Sequence, residues 1–332
     1  MPQKKYDVLA IGNALVDIIC SVEEDFFAQH DIHKGSMTLV DEERADKIFA
    51  HMGQTRQISG GSAANTVAAL SGMGGKTAFT GSVADDQIGK VFAHDIKAVG
   101  VDFFGFTHKN KKYSTGRCNI MVSPDAERTM CTYLGCAGLV PADALSKESI
   151  EASSVTYIEG YLWDQEETKK AIRHALEIVH NAGRYAALTL SDVFCVERHR
   201  EDFKALIAES CDIIFANEDE IKSLYQVDDF DQALQECRQS GKLFALTRSA
   251  KGSVIVHGSK IHVVDAVPPK KLVDTTGAGD SFAAGFLYGL TQNMDYPTAA
   301  RIGSAVASEV ISHFGARAEV NLADLIAPLK AA

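Results

Sequence analysis

Short, almost continuous apolar runs along the chain alternate with longer segments in which apolar residues recur every three to four positions. The apolar runs cover residues 6–12, 155–160, 186–190, 212–216 and 243–247. Runs of this length without polar alternation are typical of strands that are covered on both faces. The segments with the helical period cover residues 62–72, 85–99, 164–182, 218–225, 231–240, 281–291 and 298–312. This alternation predicts an α/β fold in three layers, α/β/α, with a mainly parallel central sheet.

Two regions interrupt this alternation. Short strand-like pieces occur at 17–22 and 35–40, and residues 114–122 and 128–134 form a predicted hairpin. A second hairpin, 253–257 with 260–264 around Gly258-Ser259, extends the main sheet. Because no linker or internal repeat is present, we predict a single domain over residues 1–332. Its small β-sheet lid is formed by inserted segments at about 17–40 and 114–134.

Composition and charge exclude several classes of protein. The chain has 332 residues and a formal net charge of −11, which disfavours binding to nucleic acid or to an anionic membrane surface. Since no apolar stretch reaches the ~20 residues that span a bilayer and the N-terminal run is interrupted by polar residues, a cytoplasmic protein is expected. The 7 cysteines include no C-x-x-C pair, so neither a disulfide framework nor a zinc site is predicted.

The segment 273–286 carries the most informative chemistry. Gly277-Ala278-Gly279 leads directly into a predicted apolar helix, and the free backbone N–H groups of such a helix start bind phosphate. Asp280 lies at the same helix start, where a carboxylate either caps the helix or takes a proton from an attacking hydroxyl.

Two common nucleotide-binding patterns are absent. Gly75-Lys76-Thr77 ends like a P-loop, but the earlier glycine that a P-loop needs falls on Leu70. The loop after the first strand, beginning at Gly12, lacks the G-x-G-x-x-G of dinucleotide-binding folds. A P-loop enzyme and an ordinary dehydrogenase are therefore both disfavoured.

The motifs at 274–282 and 60–66 resemble two signatures of the ribokinase-like carbohydrate and nucleoside kinases, the PfkB family. Asp-Thr-Thr-Gly-Ala-Gly-Asp-Ser-Phe is similar to the C-terminal signature and Gly-Gly-Ser-Ala-Ala-Asn-Thr to the N-terminal one. They stand in the order that the family requires, about 210 residues apart. The similarity extends over nearly the whole chain and is greatest to the adenosine kinases. It implies a ribokinase-like fold and transfer of the γ-phosphate of ATP to a hydroxyl group.

This resemblance implies roles for individual residues. Asp280 would be the catalytic base, and an anion hole would be formed by Gly277, Ala278 and Gly279. The substrate would be bound by Asn13, Asp17, Gly60, Gly61 and Asn65. From the residues alone, Asn13 and Asp17 could instead do no more than turn the chain after the first strand.

Further roles follow from the same resemblance. Asn217 and Glu220 resemble the element that organises Mg²⁺ around ATP, although an acidic helix start has the same sequence. The nucleotide loop would contain Thr247, Arg248 and Gly252, and Arg128 would reach the transferred phosphate. Leu39, Leu162 and Trp163 would flank the base or belong to the core. The carbonyls around Asp274 and Thr276 and the loop near Gly315 lie in the region that resembles the family's potassium site, so a potassium ion is allowed there.

The expected reaction is phosphorylation of the primary, 5′-type hydroxyl of a purine nucleoside, adenosine first. The alternatives are a sugar kinase of the same family, acting on ribose, fructose or a keto-deoxy sugar acid, and a catalytically silent nucleoside-binding protein. The expected partners are this substrate and ATP, and the chain is either a monomer or a homodimer formed through the lid.

Overall fold

A computed structural model of the chain describes residues 4–110, 112–125 and 127–330. In chain order, its strands are β1 Tyr6–Ile11, β2 Leu15–Ser21, β3 Met37–Leu39, β4 Arg56–Gly60, β5 Thr77–Thr80, β6 Ser82–Ala84, β7 Asp102–Phe103, β8 Phe106–His108, β9 Gly116–Val122, β10 Arg128–Tyr133, β11 Ser153–Glu159, β12 Tyr185–Thr189, β13 Ile213–Asn217, β14 Leu243–Thr247, β15 Ser253–His257 and β16 Lys260–Val264. The helices are α1 Asp25–Gln29, α2 Glu42–His51, α3 Ser62–Gly72, α4 Gln87–Ala98, α5 Lys147–Glu151, α6 Glu166–Asn181, α7 Val193–Glu209, α8 Glu218–Tyr225, α9 Phe230–Ser240, α10 Ala278–Thr291, α11 Tyr296–Val310 and α12 Leu322–Ile326.

The central sheet has nine strands in the order β16-β15-β14-β13-β12-β11-β1-β5-β7. From β14 to β7 neighbouring strands pair in parallel, whereas β15 and β16 form an antiparallel hairpin at one edge. The predicted mainly parallel sheet and the predicted edge hairpin are both confirmed.

Each face of this sheet is covered by a layer of helices. In β1, Val8 and Ala10 join a hydrophobic cluster with α3, α10 and α11, whereas Leu9 and Ile11 join a second cluster with α6, α7, α8 and α9. Consecutive side chains of a strand point to opposite faces. The two clusters therefore lie on opposite sides of the sheet, and the three-layer prediction is confirmed.

A separate sheet of five strands has the order β3-β10-β9-β2-β4. It contains the predicted hairpin, as β9 and β10, and strands from the other predicted lid segment. It also contains β4, which the apolar pattern does not mark. On one face Ile18, Ile48 and Cys131 belong to the hydrophobic cluster that includes the phenylalanines of α1. Asp17 precedes Ile18 in β2 and so lies on the other face.

Several elements are not marked by apolar periodicity. Strand β5 has only four residues and begins and ends with threonine, yet it pairs with β1 on one side and with the edge strand β7 on the other. Helix α7 is rich in charged residues and has a non-helical residue, His199, inside it. Among the described helices none is both long and apolar enough to cross a membrane. All seven cysteines are free and buried.

Candidate functional site

The site lies where the start of α10 meets the start of α3, beyond the carboxyl end of β1. Asp280, in the first turn of α10, accepts a hydrogen bond from Ser62 Oγ at 2.6 Å and one from Asn65 Nδ2 at 3.2 Å. Both donors belong to α3, and no side chain caps the first turn of α10. The Asp280 carboxylate is therefore directed across the site and does not cap its own helix.

The first turn of α10 presents open backbone. Gly277 has a φ of +77°, and a Cβ added there would lie 2.6 Å from Ala316 Cβ, so glycine is required. At Gly279 an added Cβ would meet no atom within 4 Å. Among the described residues nothing accepts a hydrogen bond from the backbone N–H groups of Gly279 and Asp280. Such a turn can hold an anion beside the Asp280 carboxylate.

Gly60 and Gly61, at the end of β4, allow the backbone to lie close to Asn13 and Asp17. A Cβ on Gly60 would lie 2.5 to 2.6 Å from the Asp17 carboxyl atoms, and one on Gly61, with φ +98°, would lie 2.3 Å from Asn13 O. Any side chain at either position would displace its neighbour. The structure thus brings together Asn13, Asp17, Gly60 and Gly61, as the sequence predicted.

Arg317, which lies outside the motifs, places a positive charge near both Asp17 and Asp280. Arg317 Nη2 donates to Ser59 O at 2.8 Å and to Ser59 Oγ at 3.0 Å, and its charge favours the ionised forms of Asp17 and Asp280. Burial nevertheless raises the pKa of Asp17 to about 6, and it also raises the pKa of Asp280. Arg317 therefore only partly offsets the cost of burying two carboxylates.

Glu159 is a second residue of the site that lies outside the motifs. It is the last residue of β11 and only 1% exposed. Its carboxylate accepts hydrogen bonds from Asn13 Nδ2 at 2.7 Å, from the Asn13 backbone N–H at 3.3 Å and from the Ala63 N–H at 3.0 Å. Burial raises its pKa to about 7. A glutamate at the end of an otherwise apolar strand is the one sequence signal that could have indicated it.

Two amide oxygens in the site are buried and have no partner. Asn13 Nδ2 is bound to Glu159 and Asn65 Nδ2 is bound to Asp280. The Oδ1 atoms of both asparagines are inaccessible to solvent and accept no hydrogen bond within the described chain. Since a buried acceptor without a partner is costly, these two atoms are suited to receive hydroxyl groups of a ligand.

Arg128, expected at the transferred phosphate, instead contacts the loop that precedes α10. Its Nε lies 3.0 Å from Asp274 Oδ2, and the two side chains are 6% and 9% exposed. The Asp274 carboxylate also accepts hydrogen bonds from the Gly315 N–H and from the N–H and hydroxyl of Thr276. Arg128 therefore connects β10 of the small sheet to the loop that precedes α10. Its contact with phosphate stays a prediction.

The residues predicted to organise Mg²⁺ cap a helix. Asn217 and Glu220 form reciprocal hydrogen bonds at the start of α8, a capping box, in which the Asn217 N–H and Nδ2 both donate to Glu220. Burial raises the pKa of Glu220 to about 7. Within the described ranges no group of three or more His, Cys, Asp or Glu side chains converges on a metal position. Contact of these two residues with Mg²⁺ through water stays a prediction.

The predicted nucleotide loop follows β14, next to the capping box. Thr247 pairs with Asn217 in the sheet register. Arg248 Nε donates to Glu218 Oε2 at 2.9 Å, and its guanidinium lies 4.0 Å from the Phe230 ring centroid. Gly252 has φ +82°, and a Cβ there would lie 2.1 Å from Val264 O, so this glycine is required by the turn into β15. Any role of these residues in ATP binding is a proposal.

The three residues predicted to flank the base lie in different parts of the structure. Leu39 lies on β3, at the edge of the small sheet, and is 56% exposed. Leu162 and Trp163 are fully buried in the hydrophobic cluster on the far side of the central sheet. Only Leu39 offers surface to a ligand, because the other two side chains are covered by α6 and α7 residues.

Comparison with known proteins agrees with this geometry. The pattern of the pfkB family carbohydrate kinases matches residues 8–322. The crystal structure of adenosine kinase from Sinorhizobium meliloti is 44% identical, with a TM-score of 0.88, over 99% of this chain and 100% of that one. A probable sugar kinase from Rhizobium etli CFN 42 is 41% identical, with a TM-score of 0.90, over 98% and 100%. A 5-dehydro-2-deoxygluconokinase from Geobacillus kaustophilus is 25% identical over 93% of this chain and 89% of its own.

The similarity extends over both signature motifs and over the two sheets. The relatives include kinases of a nucleoside and of a sugar acid, so the family is settled by the comparison and the acceptor is not. With its ribokinase-like fold, this chain belongs to the PfkB family of carbohydrate kinases, phosphotransferases that act on hydroxyl groups.

Proposed function

We propose that the protein transfers the γ-phosphate of Mg-ATP to the primary, 5′-type hydroxyl of a purine nucleoside, adenosine first. The observation that carries this proposal is the direction of the Asp280 carboxylate, which lies beside the free N–H groups of α10 and faces α3. In the proposed reaction Asp280 accepts the proton of the attacking hydroxyl, and the N–H groups of Gly279 and Asp280 stabilise the charge on the transferred phosphoryl group.

The remaining polar atoms of the site favour a ligand with several hydroxyl groups. The unpartnered oxygens of Asn13 and Asn65, and the Asp17 carboxylate when ionised, are all hydrogen-bond acceptors. A sugar supplies several hydroxyl donors, whereas a ligand that has only acceptors would leave these groups unpaired. This supports a ribose-like moiety and does not by itself separate a nucleoside from a free sugar.

The nucleoside is favoured by apolar surface and by similarity. Met37 and Leu39 are exposed on β3 of the small sheet, and a purine ring could bury part of this surface at ~25 cal/mol per Å². The S. meliloti structure, which is similar over nearly the whole chain, is that of an adenosine kinase. The alternative acceptor is a free sugar or keto-deoxy sugar acid, as the R. etli and Geobacillus relatives suggest.

We propose that Mg²⁺ is bound mainly by the phosphates of ATP and by water, and that Glu220 contacts the ion through a water molecule. A potassium ion would have to be held by backbone carbonyls, because the Asp274 carboxylate is already occupied by Arg128, Thr276 and Gly315. Potassium binding at these carbonyls stays a proposal. We propose that the enzyme acts in the cytoplasm, as a monomer or as a dimer formed through the small sheet.

A panel of acceptors tests the proposal directly. With Mg-ATP, we expect adenosine or a close purine analogue to have a kcat/KM at least ~10-fold above that of ribose, fructose or a keto-deoxy sugar acid, about 1.4 kcal/mol. Product formation is measured by separating the phosphorylated acceptor. If a sugar were phosphorylated as efficiently as every purine nucleoside, the sugar-kinase alternative would replace the nucleoside. Absence of turnover with any acceptor, alongside measurable nucleoside binding, would favour the silent binding protein.

The raised pKa of Asp17 predicts a pH dependence of activity. Protonated Asp17 can no longer act as an acceptor-only group, and protonated Glu159 can no longer accept from all three of its donors. The kcat/KM for the acceptor should therefore fall as pH decreases through about 7 and about 6. The measurement is a pH profile of kcat/KM at saturating Mg-ATP. A profile that stays level down to about pH 4.5 would contradict the shift, since an ordinary aspartate titrates near 3.8.

The same shift has the opposite effect on stability. Because the folded state binds this proton more tightly than the unfolded state, the free energy of unfolding gains a contribution at low pH that is lost as pH rises through about 6. The difference in Tm between wild type and Asp17→Asn should therefore narrow as pH falls from 7 to 5.

A further inference from the structure

We propose that Glu159 is a positioning residue for acceptor selectivity: it holds the Asn13 amide so that Oδ1 is presented to one particular hydroxyl of the acceptor. This inference rests on the proposed function, since it concerns how the same site distinguishes hydroxyl groups. It predicts that Glu159 determines discrimination against an acceptor lacking that hydroxyl, although its own carboxylate contacts only the protein.

The position of Glu159 commits its carboxylate to the protein. Strand β11 pairs with β1 up to Ile11 and Ile158, so Glu159 lies beside the turn that carries Asn13. Oε1 accepts from Asn13 Nδ2, while Oε2 accepts from two backbone N–H groups, those of Asn13 and Ala63. A Cβ at Gly12 would lie 2.6 Å from Oε2. The carboxylate is therefore enclosed by the turn and by the start of α3.

A carboxylate is the group that satisfies all three donors. When Glu159 is ionised, above about pH 7, both of its oxygens accept, whereas a glutamine would have to direct its NH₂ group either at Asn13 Nδ2 or at the two backbone N–H groups. In either orientation two donors would face each other in a buried place. The simplest relief is rotation of the Asn13 amide, which would exchange its oxygen and nitrogen and present a donor to the ligand.

The present orientation leaves Asn13 Oδ1 as a buried acceptor without a partner. Asn65 Oδ1 is in the same state, but its amide is held by Asp280, not by Glu159. The site thus contains two similar amide acceptors with independent supports. Loss of Glu159 should disturb the one at Asn13 and spare the one at Asn65, and a purely structural role would not produce this asymmetry.

The experiment compares discrimination ratios. For wild type, Asn13→Ala, Glu159→Gln and the double variant, kcat/KM is measured for the preferred acceptor and for its analogues that each lack one secondary hydroxyl, 2′-deoxy- and 3′-deoxyadenosine for adenosine. Each ratio of kcat/KM values comes from one preparation, so the fraction of correctly folded enzyme cancels. The Asn13→Ala variant identifies which hydroxyl Asn13 receives, because only that ratio should collapse.

We expect wild type to discriminate against loss of the Asn13-bound hydroxyl by at least ~10-fold, as for a buried group left unpaired. Glu159→Gln should reduce this ratio by at least about threefold, because the hydroxyl would then have to accept from the Asn13 NH₂ group instead of donating to Oδ1, and the double variant should reach the ratio of Asn13→Ala and go no lower. The ratio for the other hydroxyl should stay within about threefold of wild type. If Glu159→Gln yields no soluble protein, Glu159→Asp, which keeps the charge but shortens the reach, should reduce the same ratio selectively.

Asp86→Asn is the matched control. Asp86 lies outside the site and its carboxylate also accepts three hydrogen bonds, from the Thr115 hydroxyl and from the backbone N–H groups of Thr115 and Gly89, at the start of α4. Its substitution should leave both ratios at the wild-type values. The proposal is overturned if Glu159→Gln lowers kcat/KM for all acceptors equally or lowers both ratios together. Failure of the proposed function would look different, since wild type itself would then phosphorylate none of these acceptors.

Discussion

Asp280→Asn is expected to reduce turnover by about 10²-fold or more while leaving KM for the acceptor within a few-fold of wild type. The substitution keeps the size of the side chain. Its oxygen can accept from Asn65 Nδ2, and its new NH₂ group can donate to the Ser62 hydroxyl, which acts as donor or acceptor. The substitution removes the group that can take up a proton from the attacking hydroxyl. The measurement is steady-state kinetics with Mg-ATP and the best acceptor of the panel, together with Tm for each preparation.

Asp295→Asn provides the control for a capping role. Asp295 is a true N-cap, since its carboxylate accepts from the Thr298 N–H at the start of α11. Because asparagine is also a good N-cap, turnover and Tm should both stay close to wild type. Turnover of Asp280→Asn within about threefold of wild type would show that Asp280 is not the base.

Gly279→Ala is expected to lower kcat/KM for ATP by about 10²-fold without lowering Tm. The new methyl group would meet no protein atom within 4 Å, so the fold has room for it, and alanine favours a helix over glycine by ~1 kcal/mol. The same methyl group would stand in the space where the free N–H groups of Gly279 and Asp280 must approach a phosphate oxygen. Activity and stability should therefore change in opposite directions.

Two further glycine substitutions make this result interpretable. Gly53→Ala also adds a methyl group that meets no atom within 4 Å, at a place outside the site, and should leave kcat/KM unchanged. Gly277→Ala should lower Tm, because φ is +77° there and Ala316 lies in the way. If Gly279→Ala retained full activity, phosphate would not be bound at the start of α10.

The sequence was most informative where glycine geometry and a reactive side chain occur together. Gly60 and Gly61 were predicted beside Asp17 and Asn13, and the close approaches of their backbone atoms agree with this. A pair of glycines before a helix indicates a place where a side chain would not fit or where φ is positive, so the short motif predicts a close approach of the backbone. The edge hairpin of β15 and β16 was predicted for a similar reason, since Gly258-Ser259 specifies a tight turn between two alternating runs.

Glu159 and Arg317 could not be predicted in the same way. Their partners are remote in sequence: Asn13 is 146 residues from Glu159, and Ser59 is 258 residues from Arg317. No local period or turn signal links such pairs, and a charged residue after an apolar strand usually marks only the end of that strand. Their roles become visible once strand order brings β11 beside β1 and the C-terminal loop beside β4.

At Leu162 the structure places the side chain in the core, and at Asn217 it shows a helix cap. An acidic start of a helix and an Asn-x-x-Glu magnesium element share one sequence, and the reciprocal hydrogen bonds with Glu220 show the capping box. An apolar residue after a strand is compatible with a base pocket or with the core, and Leu162 is completely buried in the core. In both cases local sequence leaves the direction of the side chain open, and tertiary packing decides it.

The positions of the seven buried cysteines allow opening of the protein to be followed by thiol labelling. Cys20, Cys118 and Cys131 lie in the five-stranded sheet, whereas Cys195, Cys211 and Cys237 belong to the cluster on the far side of the central sheet. A thiol reagent that counts modified cysteines by mass can therefore distinguish exposure of the small sheet from exposure of the main core. Labelling of the first group alone would indicate local opening over the site, and labelling of all seven together would indicate global unfolding.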